Sequence, residues 1–135
     1  MAENVEIAAD RVQRQIIRRE GEYWILVFAG SVCRLGEGRG INHLAYLLLH
    51  PHEAISSLFL DYRTARDDAA TARVQIGGHD ARERARVNVT RATDDAIRRI
   101  SAHHPELGEH LSVTIRTGVF CSYTPDPRLP VQWTD

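Results

Sequence analysis

Residues 80–103 constrain the fold most, because they have the pattern of one long, two-faced helix. Asp80-Ala81-Arg82-Glu83 is a capping box, with an N-cap acceptor followed three residues later by a glutamate. At about 100° per residue, small and apolar side chains share one side and polar ones the other. The side predicted to be buried carries Val89, Ala92, Thr93, Ala96, Ile97 and Ile100. The side predicted to be exposed carries Arg84, Asn88, Arg91, Asp95 and Arg98.

Strands are predicted before this helix. Three β-branched and aromatic runs, at 16–17, 23–28 and 32–33, are separated by glycine-containing turns. This pattern is typical of an antiparallel β-meander. The meander around Tyr23 and Trp24, expected to be an exposed apolar surface, is one candidate surface for dimerisation.

Two further helices are predicted between the meander and the long helix. Residues 41–49 have a wide apolar stripe at helical spacing, which indicates a buried helix that ends at His50-Pro51. An extended piece at 53–55 follows, and Ser56 is a plausible N-cap for a short helix holding residues 58–60. Residues 63–78 fit either a helix or a loop.

The end of the chain is predicted to form a short helix, a β-hairpin and an extended tail. Pro105 suits the first turn of a helix over 106–110. Residues 113–116 and 119–123 alternate around Thr117-Gly118, which predicts a hairpin. The tail is expected to pack Trp133 against the body.

Length and composition indicate an α+β protein with one globular domain. The 135 residues are 43% hydrophobic and 26% charged, and we divide them into an arm at 1–14 and a domain at 15–135. No apolar run approaches the roughly 20 residues needed to cross a bilayer, and the acidic N-terminus does not resemble a secretory signal. We therefore expect a cytoplasmic protein without membrane contact.

The order of elements resembles the winged-helix effector domain of response-regulator transcription factors. The resemblance covers about residues 22–124, with the recognition helix at about 81–103 and the β-hairpin wing at about 113–124. A closer resemblance is to the C-terminal segment of large bacterial regulatory proteins that join an ATPase module and helical repeats to such a tail. The matching strings are Arg18-Arg19-Glu20-Gly21-Glu22-Tyr23-Trp24, Ala85-Arg86-Val87-Asn88-Val89-Thr90-Arg91-Ala92, Thr117-Gly118 and Cys121-Ser122-Tyr123-Thr124-Pro125-Asp126-Pro127.

This chain departs from those relatives in two ways. The charged helical hairpin that usually precedes the recognition-like helix is reduced here to the short segment 62–78. No G-x-x-x-x-G-K-[ST] loop is present in the sequence, so the function of the ATPase module is either lost or supplied by a separate regulatory chain.

The resemblance implies a DNA-binding transcriptional regulator that acts as a homodimer, without catalysis or a cofactor. Asn88 would pair with adenine and Arg84 or Arg91 with guanine, since these side chains match base edges in the major groove. Thr90 and Arg98 would contact phosphates, and Arg116 on the wing would grip the neighbouring groove or its phosphates. Residues 82–104 carry six arginines and three acids, a balance of +3 in a chain of net charge −1.

Other interpretations remain open. The arginines also fit an ordinary solvated helix face, and Asp94 and Asp95 would repel phosphate. A winged-helix module that docks a protein partner, without binding DNA, is the alternative function. No second ligand pair with zinc-site spacing accompanies His104 and His110 among the seven histidines, so no metal is expected. Cys33 and Cys121 are most simply reduced thiols, although a disulfide between them is an alternative.

Overall fold

The structure is a computed structural model that describes residues 13–65, 79–129 and 131–135. Most of the predicted arm lies outside these ranges. So do residues 66–78, which belong to the segment that fits either a helix or a loop. The described residues form a mixed α+β fold with four helices and two sheets, as the α+β prediction requires. None of their helices is long and apolar enough to cross a membrane.

The predicted meander forms three strands of a four-stranded sheet. Strands β1 (Gln13–Glu20), β2 (Tyr23–Phe28) and β3 (Ser31–Gly36) pair antiparallel. Ala29 and Gly30 both have positive φ, which is the geometry of a tight turn that follows the right-handed twist of the strands. Alternate β2 side chains enter the core. Trp24 is one of them and is buried, so its place in the suggested exposed dimer surface is wrong.

The two helices predicted between the meander and the long helix are present. Helix α1 (Arg39–Leu49) is largely buried and ends at His50. Strand β4 (Ile55–Ser56) leads into α2 (Ser57–Ala65), and Ser56 Oγ accepts a hydrogen bond from the Leu58 amide at 3.2 Å. That bond confirms Ser56 as the cap, because a side-chain oxygen there satisfies an amide of the first turn.

The long two-faced helix is α3 (His79–His103), and it is continuous. Val89, Ala96 and Ile100 are buried, as predicted. The helix begins one residue before the expected N-cap, so Asp80 lies inside its first turn instead of capping it. A carboxylate is still favourable there, because it faces the positive end of the helix dipole.

Helix α4 (Pro105–Thr114) is longer than predicted and includes Val113 and Thr114, which were assigned to the first hairpin strand. The alternating pattern of residues 113–116 covers only four residues, which is too few to predict where the helix that begins at Pro105 ends. That strand is therefore only β5 (Ile115–Arg116), paired with β6 (Phe120–Tyr123). Strand β4 pairs with the other side of β6, giving a second sheet in the order β4-β6-β5.

The tail forms β7 (Val131–Thr134), which pairs parallel to β1. Trp133 is buried, and its Nε1 donates to the hydroxyl of Tyr123 at 3.0 Å. The prediction that Trp133 packs on the body is confirmed. The first sheet accordingly has the order β3-β2-β1-β7.

Candidate nucleic-acid interface

The outer side of α3 carries the predicted polar residues at its surface. The side chains of Arg84, Asn88, Arg91 and Arg98 are all exposed, and so is Asp95. Their spacing of three and four residues puts them on one face of the helix. We call these five residues the α3 face.

Thr90 does not belong to the α3 face. It is half-buried, and at about 100° per residue it lies roughly 120° around the helix from Arg84. The structure thus separates Thr90 from the other five predicted contact residues.

The hairpin lies beside the C-terminal half of α3. An open groove of about 380 Å³ runs between this helix, α4 and the hairpin. Its lining includes Arg98 from α3 together with Ile115 and Thr117 from the hairpin. Arg116 follows Ile115 and is exposed, so the hairpin adds a cation near this end of the α3 face.

Acidic side chains reduce the positive charge of the α3 face and the adjacent groove. Asp95 lies 3.6 Å from Arg98, and both side chains are largely exposed. An exposed pair of this kind contributes about 0–1 kcal/mol, so Arg98 can exchange Asp95 for another anion. Asp94 lines the groove next to Arg98. The arginines of the α3 face outnumber its single carboxylate, and the face remains positive.

Asn88 has an internal neighbour that the sequence did not indicate. Burial raises the pKa of Asp61 on α2, while the charge of Arg39 and a side-chain hydrogen bond from Asn88 act in the opposite direction. Asp61 is buried even though Asn88 is exposed. Asn88 therefore links the α3 face to α2, and its amide is partly committed to the protein itself.

Polar groups are also buried between α1 and α2. His43 is buried on α1, and its Nδ1 has no hydrogen-bond partner among the described residues. Burial, together with the smaller effects of the Arg63 and Arg39 charges, lowers the pKa of His43 to about 4. The Arg63 guanidinium lies 4.5 Å from the centre of the Tyr46 ring. Sequence periodicity placed residue 43 in a buried helix but did not indicate that Arg39 and Arg63 lie near it.

The clustered histidines near α4 serve the fold. His104 caps α4, accepting from the Leu107 amide at Nδ1 while Nε2 lies 3.0 Å from the Phe28 carbonyl oxygen. His110 Nε2 lies 2.7 Å from the Tyr123 hydroxyl. Within the described ranges, no three His, Cys, Asp or Glu side chains come together as metal ligands.

Cys33 and Cys121 are buried free thiols, which excludes the disulfide alternative in this structure. Burial raises the pKa of both, opposite to the change that makes a thiol reactive at neutral pH. Neither cysteine contributes to the α3 face.

The arrangement suits contact with an anionic surface through several arginines. Comparisons of the chain with family models, with curated proteins and with solved structures found no match.

Proposed function

We propose that this protein is a DNA-binding regulator of winged-helix type, in which α3 is the recognition helix and the β5–β6 hairpin is the wing. The observation that carries the proposal is the run of exposed arginines along α3, with Arg116 on the adjacent hairpin. The order of β4, α2, α3 and the hairpin, with β4 joined to the hairpin sheet, supports the winged-helix assignment. Helix α4, which the sequence predicted over 106–110, lies between α3 and the hairpin.

The dimensions of α3 fit a DNA major groove. Arg84 and Arg98 are fourteen residues apart, about 21 Å along a helix that rises 1.5 Å per residue. The major groove of B-DNA is about 12 Å wide and admits one α-helix. An exposed stretch of this length spans the bases of one groove passage and the phosphates on its rims.

Different residues have different proposed roles. Asn88, Arg84 and Arg91 contact base edges, while Arg98 and Arg116 contact phosphates. Thr90 contributes less, because its side chain is half-buried. Two copies of the chain bind paired half-sites, as is common for helix-turn-helix proteins.

A protein-docking module is the second candidate. It is favoured by four large apolar side chains that stay exposed beside the hairpin, namely Phe59, Tyr62, Val119 and Phe120. The net charge of −1 is also low for a DNA-binding protein. This alternative expects no duplex binding that depends on the α3 face.

The proposal is tested by measuring duplex binding at about 50 and 200 mM salt. Binding to a mixed-sequence duplex is measured first by fluorescence anisotropy, and a preferred site is then selected. Replacing Asn88 or Arg91 by alanine should weaken binding to the preferred site by about 1–3 kcal/mol and relax base preference there. Replacing Arg98 or Arg116 should weaken binding to all sequences alike. It should also reduce the slope of log K against log salt concentration by about one.

Arg14→Ala provides the matched control, since Arg14 is also exposed but lies on β1. It should leave both affinity and base preference unchanged. A wild-type protein that fails to bind duplex even at the lower salt concentration would show that the proposal is wrong. If Arg14→Ala and Arg91→Ala lose the same affinity for duplex, the binding is general electrostatic attraction and not recognition by the α3 face.

A further inference from the structure

The first sheet buries only one of its two faces fully. Successive side chains of a strand point to opposite sides, and the side that faces the core carries buried residues such as Ile17, Leu26 and Leu35. The opposite side, which we call the outer face, keeps its apolar side chains half-buried or exposed. These side chains are Ile16 on β1, Tyr23, Ile25 and Val27 on β2, and Val32 on β3.

The strand register places an apolar row across the middle of the outer face. Three side chains are directly opposed on successive strands, namely Ile16, Val27 and Val32. Directly opposed residues in an antiparallel ladder point to the same side and interact. In the neighbouring row, Ile25 lies between Arg18 and Arg34. The outer face therefore has an apolar centre with an arginine on each side.

Charge distinguishes the occupants that could cover the outer face. Arg14, Arg18 and Arg34 all reach this face with exposed side chains. Glu20 lies 3.4 Å from Arg18 and offsets one of the three positive charges. Packing two copies of the chain face to face would bring the arginines of both copies together, which disfavours a second copy. An occupant that carries both apolar and acidic side chains matches the apolar row and the arginines beside it.

We propose that residues 1–12 of the same chain, which we call the N-terminal segment, cover the outer face. The segment lies outside the described ranges, and its sequence carries three acids and one arginine. At about 100° per residue, a helical arrangement would separate its apolar side chains from its acids. One side would hold Val5, Ala9 and Val12, and another would hold Glu3, Glu6 and Asp10. The inference goes beyond the proposed function and involves no residue of the α3 face.

The attachment point and the length of the N-terminal segment allow it to reach the outer face. Residue 12 directly precedes Gln13, the first residue of β1, and Arg14 at this end already points to the outer face. Neighbouring strands are about 4.8 Å apart, so β1 to β3 spans about 10 Å. Twelve residues cover about 18 Å even as a helix. The tether gives the segment an effective concentration on the order of millimolar, which favours it over a separate acidic partner.

Paramagnetic relaxation enhancement in the full chain tests the proposal. A nitroxide is attached at Asn4→Cys, a position that belongs to neither side of the N-terminal segment, and the native thiols are buried. The label should broaden the methyl resonances of Val27 and Val32. It should leave Val113 sharp, because Val113 is exposed on α4, which packs on the core side of the sheet where His110 contacts Phe28. The unmutated chain treated with the same reagent shows any broadening that comes from the native thiols.

A charge swap tests whether the arginines recognise the acids of the N-terminal segment. The double variant Arg18→Glu with Arg34→Glu should lose the broadening, because like charges then face each other. Adding Glu3→Lys, Glu6→Lys and Asp10→Lys should restore it. The matched control is Arg91→Glu with Arg98→Glu, which changes the net charge equally on the α3 face and should keep the broadening. Thermal melting confirms that each variant is folded.

Three outcomes would overturn the inference. The first is a labelled wild-type background in which the methyl groups of Val27 and Val32 stay sharp. The second is broadening that appears when a labelled chain is mixed with a separate, isotopically enriched chain, since a second copy would then be the occupant. The third is a charge swap that fails to restore the broadening, or a control pair that loses it as well. None of these measurements uses DNA, so failure of the proposed function would leave the result unchanged.

Discussion

His43 is a histidine buried at 1% exposure between cationic neighbours. The groups that face it are Arg39 on its own helix and Arg63 on α2, and both disfavour a second positive charge. Its imidazole is therefore neutral in the folded protein near neutral pH. The unfolded chain binds a proton there at its usual pKa of about 6.5.

This difference predicts a loss of stability in acid. Between pH 6.5 and about 4 the unfolded state binds more protons than the folded state, so the free energy of unfolding falls as pH falls. A pKa shift of this size lowers the free energy of unfolding by about 3 kcal/mol between pH 6.5 and 4. Below pH 4, His43 adds little further change to the free energy of unfolding. Urea denaturation at a series of pH values measures the effect.

His43→Leu should flatten most of that pH dependence. His110 contributes a smaller slope of the same sign, since burial also lowers its pKa. His103→Leu controls for loss of a histidine at the surface, because His103 is exposed at the end of α3. If His43→Leu and the wild type lose stability in parallel between pH 6.5 and 4, His43 is not the responsible group.

Close helix contacts position α3 against its neighbours. A Cβ atom added to Gly40 on α1 would overlap the backbone oxygen of Ala92 and lie 2.9 Å from the Cβ of Ala96. A Cβ atom added to Gly108 on α4 would similarly meet Ser101 of α3. Both glycines are needed because no side chain fits where the helices approach.

Gly40→Ala is therefore expected to destabilise the protein by about 1–3 kcal/mol, although alanine favours helices. The added methyl group meets rigid backbone, so α1 and α3 must separate. Gly36→Ala is the control, because its nearest neighbour would be the Arg99 Nη2 atom at 3.9 Å. Thermal melting of the two variants should show a drop only for Gly40→Ala, and an unchanged melting temperature would contradict this packing.

The two ends of the described chain are joined in one sheet. Strand β7 pairs with β1, and Trp133 packs parallel to Phe28 with ring centroids 5.9 Å apart. Its indole also donates to Tyr123, whose hydroxyl contacts His110. Burial raises the pKa of Tyr123 to about 12, so its phenol stays protonated and can donate to His110.

Trp133→Ala should cost about 3–5 kcal/mol, because it removes a buried indole and leaves Tyr123 with one partner fewer. The measurement is the denaturant midpoint at neutral pH. Leu129→Ala is the control, since Leu129 is 71% exposed in the loop before β7, and it should change stability by less than about 0.5 kcal/mol. A loss no larger than that of the control would mean that β7 is dispensable.

Local patterns were sufficient to predict most of the elements and the exposed side of α3, but they did not predict the length of α4 or of β5. Helical periodicity over more than twenty residues separated the buried Val89, Ala96 and Ile100 from the exposed Arg84, Arg91 and Arg98. Glycine turns marked the meander, and Pro51 marked the end of α1. These signals depend on residues close together in the chain, so they are readable without the fold.

Only the tertiary structure decided the relations between distant residues. The pairing of β7 with β1, the contact of Asn88 with Asp61, and the burial of Trp24 all depend on which surfaces meet. Phe120 lies on β6 opposite Ser56 of β4, and the sequence pattern of β6 does not reveal this pairing. Periodicity shows which side of an element is apolar, but the neighbour that covers it is chosen by packing of the complete chain.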